Sequence, residues 1–267
     1  MRIELISRFP AAEARQTPLL FVHGSYCGAW VWDRHFLPFF ASQGFTSHAL
    51  SLRGHGASDG REALAFHRLR DYVADLESVL ETFETPPVLV GHSMGGMVVQ
   101  KVMHRRALPA TVLMAPVPPH GLLGSFLGIA LRNPMLLHEM AWAQTSGPTP
   151  PEAARNSAVR RALFSDETPE EEAVGYLARF QRESAWVVLD LLGFDLPPSL
   201  PRLDLPVLVV GAERDGFVFP DALDATARTY RTRAEVLPGV SHAMMLDRGW
   251  EGVARHILGW LDQTLAA

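Results

Sequence analysis

The chain has 267 residues, 48% of them apolar, and a formal net charge of −5. That length suits one large α/β domain, or a core domain carrying an insertion, with a substantial buried core. No basic tract points to a nucleic-acid partner, and with Cys27 as the only cysteine no internal disulfide can form.

No apolar run approaches the roughly 18 residues of a membrane span. The first eight residues, MRIELISR, lack the apolar stretch of a signal peptide. The expectation is a cytoplasmic protein without integral membrane association. Nothing in the pattern decides between a monomer and a homodimer. Lys101 is the only lysine, which restricts lysine chemistry to one position.

Residues 2–9 alternate in part and read as a first strand. Residues 18–22, PLLFV, form a continuous apolar run, as expected of a strand buried on both faces. Residues 29–42 read as a helix that Pro38 bends, and 45–52 as another strand. The loop Arg53-Gly54-His55-Gly56-Ala57-Ser58-Asp59-Gly60 has its third glycine misplaced for a dinucleotide fingerprint, and no helix opens on it. A helix over 67–84 places Leu69, Tyr72, Val73, Leu76, Val79, Leu80 and Phe83 on one face. A strand over 87–90 and a helix over 93–106 follow, then a strand over 110–115. Strands alternating with helices indicate a parallel sheet with crossover helices.

Residues 117–200 break this rhythm. They hold no clear strand and are divided by the proline cluster Gly147-Pro148-Thr149-Pro150-Pro151. Thr168-Pro169-Glu170-Glu171 resembles a capping box with proline at the first helical position, followed by helices over 170–181 and 183–192. This region is expected to be an α-helical cap inserted into a core formed by residues 1–116 and 201–267. The core resumes with a strand over 205–211, a helix over 220–230, a strand over 233–237 and a final helix over 250–264.

Gly91-His92-Ser93-Met94-Gly95 sits between a strand and a helix, the context that a G-x-S-x-G nucleophile elbow requires. A serine hydroxyl is a poor nucleophile, so an imidazole must take its proton, and a carboxylate must hold that imidazole in one tautomer. Asp215 lies just past the end of a strand, with Glu213 as its nearest rival, and His242 follows the last strand. In open α/β sheets, sites form outside the carboxyl ends of the strands. The catalytic set expected is therefore Ser93, Asp215 and His242. The backbone N–H groups of Ser25 and Met94 are the candidates for an oxyanion hole. Cys27 reads as a packing residue, and His23 is given no proton-transfer role.

These motifs resemble the α/β-hydrolase superfamily. PLLFVHGSYCGAWVW at 18–32 is similar to H-G-x-x-x-G-A-W-x-W of a serine esterase/lysophospholipase-like group. Arg53-Gly54-His55-Gly56 with Ser58, and Pro238-Gly239 with Ser241-His242, match loops common there. The resemblance implies a mostly parallel sheet of about eight strands flanked by helices, an inserted cap, no cofactor and no metal. It also implies hydrolysis of a small-molecule carboxylic ester through an acyl-enzyme. Thioesterases, lysophospholipases, monoacylglycerol lipases, acyltransferases and low-turnover ligand receptors share these features. Ser93 argues against the aspartate-dependent dehalogenases and epoxide hydrolases. The position of Lys101 argues against a lyase that relies on a cap lysine.

Overall fold

A computed structural model describes residues 1–146, 151–155, 157–198 and 204–266. In chain order the first half holds β1 (Glu4–Arg8), β2 (Leu19–Val22), α1 (Trp30–Asp33), α2 (Phe36–Ser42), β3 (Ser47–Ser51), a 3₁₀ turn (Arg61–Phe66), α3 (Leu69–Leu80), β4 (Val88–His92), α4 (Met94–Met103) and β5 (Thr111–Met114). The helices α5 (Leu123–Arg132), α6 (Pro134–Ser146), α7 (Pro151–Arg155), α8 (Ala158–Leu163), α9 (Glu170–Leu177) and α10 (Ala185–Leu189) follow, then a π-turn (Asp190–Phe194). The chain closes with β6 (Val207–Ala212), α11 (Pro220–Thr229), β7 (Ala234–Leu237) and α12 (Trp250–Leu265).

Seven strands pair in the order β1-β3-β2-β4-β5-β6-β7 among the described residues, against the eight or so that the resemblance implies. All pairings are parallel except β1 with β3. Only one strand precedes β2, since Pro10 and the polar stretch 13–17 cannot extend an apolar pattern. Every residue of β2, β4, β5 and β6 is buried, which is why they read as unbroken apolar runs. Successive residues point to opposite faces. Phe21, Val90 and Val112 pack with Trp32, Phe36 and Ile257 on one side. Leu20, Leu89 and Leu113 pack with Tyr72, Leu76 and Val98 on the other.

The sheet changes winding direction between β2 and β4, which lie in register with Val22 opposite Gly91. The loops leaving these two strands therefore emerge side by side at the carboxyl edge, the crevice in which open sheets bind ligands.

Two local expectations are corrected. The helix over 29–42 is broken into α1 and α2 around Arg34 and His35. Pro38 then falls in the first turn of α2, where its missing N–H has no intrahelical partner to lose. The capping box at Thr168 does not form: the N-cap is Pro169 and makes no side-chain cap. The Thr168 hydroxyl instead donates to Asp247 at 2.7 Å and accepts from the Arg248 N–H at 3.0 Å.

Between β5 and β6 the described residues form helices and no strand. This segment is tied back to the core by polar contacts. Arg68 pairs with Asp190. Lys101 on α4 pairs with Asp195 at 2.5 Å. The Gln181 amide donates to Gly54 O at 2.8 Å and accepts from the Gly56 N–H at 3.1 Å. Most of the proline cluster (147–150) and the expected boundary at 200–201 lie outside the described residues. No helix among the described residues is long and apolar enough to cross a membrane.

Candidate active site

Ser93 is the residue between β4 and α4, at φ 52° and ψ −118°. This is a strained conformation for a residue with a Cβ. The surroundings hold it: Ser93 N–H donates to Met114 O at 3.1 Å, and Ser93 O accepts from Val117 N–H and Gly96 N–H, each at 3.0 Å. The turn can be this tight because Gly91 and Gly95 have no side chain. A Cβ on Gly91 would lie 2.7 Å from Gly95 O, and one on Gly95 would strike the Val22 carbonyl.

Asp215 and His242 meet. His242 Nδ1 lies 2.8 Å from Asp215 Oδ2 and 3.0 Å from Oδ1. Asp215 Oδ1 also accepts from the N–H groups of Phe217 and Val218, both at 2.8 Å. With Nδ1–H donated to the carboxylate, Nε2 of His242 is left as the acceptor. The Phe217 ring packs against the imidazole with centroids 4.9 Å apart. Ser93 and His242 line one cavity, and their side chains make no direct hydrogen bond, a separation common before substrate binds. Glu213 points elsewhere. It is exposed and accepts from the Gly239 N–H at 2.9 Å.

The Ser25 hydroxyl donates to the Met94 sulfur at 3.3 Å, so the two candidate oxyanion residues are neighbours. Among the described residues, no protein group accepts from the Ser25 or Met94 N–H. The Met94 N–H also sits at the start of α4, where the helix favours negative charge.

Two histidines support this arrangement. His23 Nδ1 lies 2.7 Å from Gly24 O, and its Nε2 accepts from the Leu52 N–H at 3.0 Å. This fixes the tautomer with the proton on Nδ1. It also holds the Gly24 carbonyl, so the trans peptide turns the Ser25 N–H the opposite way. Burial, and then the neighbouring His55, hold His23 far below the usual imidazole value of 6.5, at about 3. The second is His92, which sequence reasoning missed. Its Nε2–H donates to the His242 carbonyl at 2.9 Å. Burial, followed by proximity to His242, pushes it well below the usual value. Its position inside the elbow motif was the only signal in the sequence.

Cys27 lines the same cavity. Burial, reinforced by the charge of Glu183, pushes its thiol up and keeps it protonated, so it is no nucleophile at neutral pH. The cavity is otherwise walled by apolar side chains such as Leu122, Phe126, Ile129, Leu163, Phe217 and Met245, and none of its lining residues is Asp, Glu, Lys or Arg. No cluster of metal-ligating side chains occurs among the described residues.

Comparison with known proteins agrees with this architecture. The Alpha/beta hydrolase family matches residues 19–256, and the chain belongs to that family. It is 35% identical to a non-heme chloroperoxidase of Streptomyces lividans over 106 residues, 38% of this chain and 37% of the relative. It is 33% identical to polyneuridine aldehyde esterase of Rauvolfia serpentina over 126 residues, 43% of this chain and 46% of the relative. The chain thus spans less than half the length of these curated relatives. A carboxylesterase structure from the ammonia-oxidizing Thaumarchaeon Nitrososphaera gargenis superposes with TM-score 0.74 at 18% identity, covering 99% of this chain and 95% of the other. A thermophilic esterase from Thermogutta terrifontis superposes with TM-score 0.70 at 19% identity, covering 98% and 93%. At such identities the structures establish the fold.

Proposed function

We propose that the protein is a serine hydrolase that cleaves a carboxylic ester with an apolar acyl or alcohol group. The observation that carries this reading is the pairing of Asp215 with His242 at 2.8 Å, beside a cavity that also exposes the strained Ser93.

In this mechanism His242 Nε2 takes the proton of Ser93 Oγ as the oxygen attacks the ester carbonyl. Asp215 holds Nδ1–H and stabilises the imidazolium. The Ser25 and Met94 N–H groups receive the charge that develops on the carbonyl oxygen. Loss of one such donor costs roughly 10²–10³ in turnover. The acyl C–O bond breaks, and His242 gives its proton to the departing alcohol. Water then attacks the acyl-enzyme with His242 again as base, which releases the acid and restores Ser93. The segment over 117–200 acts as the cap. Its α5 supplies Leu122 at its N-cap, Phe126 and Ile129 to the cavity wall, so an uncharged apolar group is the part of the substrate it encloses.

The test is hydrolysis of p-nitrophenyl esters from acetate to palmitate by the wild type and by Ser93→Ala. Multiple turnovers lost in the variant, with fluorophosphonate labelling of the wild type alone, support the reading. Undiminished turnover by Ser93→Ala overturns it.

A further inference from the structure

A second concavity adjoins the first. Arg61, Arg179 and Arg182 line it together with Trp30, and Phe180 and Gln181 form a wall common to this groove and the Ser93 cavity. We propose that this groove binds a phosphate group on the alcohol or thiol portion of the substrate, while the acyl chain occupies the apolar cavity. This inference rests on the serine-hydrolase reading above and narrows its substrate class.

Charge is the first argument. Some arginines of this chain are matched by acids, among them Arg8 with Asp33, Arg155 with Glu170 and Arg255 with Glu251. Arg61, Arg179 and Arg182 pair with no carboxylate among the described residues, and no lining residue of the groove is acidic. In a chain with 29 acidic residues and 24 basic ones, three arginines lining one groove with no acid among its walls concentrate positive charge there. Glu183, next to Arg182 in the chain, is buried. It faces the buried His55 at 3.2 Å and is not among the residues that line the groove.

Preorganisation is the second argument. The Arg61 guanidinium donates to Gly56 O at 2.9 Å. The Arg179 guanidinium lies over the Trp30 ring, 4.0 Å from its centroid, and Trp30 is itself backed by the rings of Tyr176 and Phe180. Guanidiniums held this way lose less freedom on binding an anion. Three planar forks suit a phosphate monoester, which has three acceptor oxygens and a charge of about −1.5 to −2, better than a single carboxylate. The Ser93 cavity, by contrast, has no charged wall to receive the phosphate end. The reaction itself is unchanged: the acyl C–O or C–S bond breaks, water supplies the hydroxyl of the acid, and the phosphate-bearing alcohol or thiol leaves with a proton.

Two matched pairs test the proposal. One is octanoyl-coenzyme A against S-octanoyl-N-acetylcysteamine. The other is 1-octanoylglycerol 3-phosphate against 1-octanoylglycerol. The phosphate-bearing member of at least one pair is expected to have a kcat/KM about tenfold or more higher in the wild type, mostly through KM. That ratio should fall about tenfold in R61Q/R179Q/R182Q and shrink as salt rises. The pair that shows the advantage tells a nucleotide thioester from a lipid phosphate. A ratio near one for both pairs, or a ratio unchanged in the triple variant, overturns the proposal. R182Q alone serves if the triple variant does not fold. If neither neutral compound is turned over in a Ser93-dependent way, the hydrolase reading has failed by itself. Equilibrium binding of coenzyme A and glycerol 3-phosphate to wild type and variant then decides: binding weakened by the substitutions supports the groove, and equal or absent binding overturns it.

Discussion

His92 donates from Nε2 to the carbonyl oxygen of His242 at 2.9 Å, and the two rings lie 4.7 Å apart. The residue just before the proposed nucleophile thus holds the backbone of the proposed base. His92→Ala removes that tether. A misplacement of about 1 Å costs on the order of 10²-fold in rate. The expected outcome is a kcat lower by about ten- to hundredfold, with KM changed less than about threefold. Steady-state kinetics on one p-nitrophenyl ester checks this. An unchanged kcat would show that the carbonyl contact does not position the base.

Asp215 and Glu213 were rivals in the sequence, and the structure separates their surroundings. Asp215 is braced by two backbone N–H groups and faces His242, whereas Glu213 caps the turn at Gly239. Asp215→Asn is expected to reduce kcat by up to about 10⁴, the scale set by loss of the correct imidazole tautomer in a serine protease. Glu213→Gln should stay within about threefold of wild type. The reverse order of effects would assign the carboxylate role to Glu213.

What was legible in the sequence is what local chain geometry determines. The elbow at 91–95 is strand, turn and helix in one stretch, and Asp215 and His242 follow strand ends, so chain order alone placed them. The misread features depend on distant partners. Thr168 reads as a capping residue because Pro169 follows it and Glu171 lies three residues on, yet its hydroxyl serves Asp247, 79 residues away. Asp247 also accepts from the Ser241 N–H at 2.7 Å and the Ser165 N–H at 3.1 Å. It therefore joins the histidine loop to the helical segment, a link that no periodicity reveals. The break between α1 and α2 depends on where Pro38 can sit, which the apolar pattern over 29–42 does not fix.

Glu183 and His55 are a fully buried pair joining the helical segment to the core. Their facing atoms lie 3.2 Å apart, and charge attraction is the larger part of the interaction between them. Glu183 is further satisfied by the Tyr72 hydroxyl at 2.6 Å and the Ser184 N–H at 2.8 Å. Burial opposes both charges, but the pairing outweighs it. His55 is raised above its usual 6.5 and Glu183 is lowered below its usual 4.5. The His55 contribution is present below 6.5 and is lost as pH rises through the raised value. The Glu183 contribution is present above 4.5 and is lost as pH falls through the lowered value. Glu183→Gln is therefore expected to destabilise most between those two values. The scale is about 3–5 kcal/mol for breaking a buried pair. Thermal melts of wild type and variant from pH 4 to 9 check this. A difference that grows toward pH 9 would reverse the assigned sign.

His23 carries the opposite linkage. Its pKa is depressed from 6.5 to about 3 in the folded chain, so the unfolded chain takes up a proton first as pH falls. Stability from this residue is complete above 6.5 and is lost as pH drops from there toward 3. His92 is lowered in the same sense. His55, being raised, is protonated in both states over most of this range and contributes little slope. Each neutral buried histidine should add about 1.4 kcal/mol of lost stability per pH unit where the unfolded form is charged. Urea unfolding at pH 7, 6, 5 and 4 reads this slope directly. His23→Asn keeps a polar group near Gly24 O but cannot titrate, and should remove a substantial part of the slope. If the slope of that variant matches wild type, the acid sensitivity lies with His92 and the carboxylates, and His23 is not the titrating group.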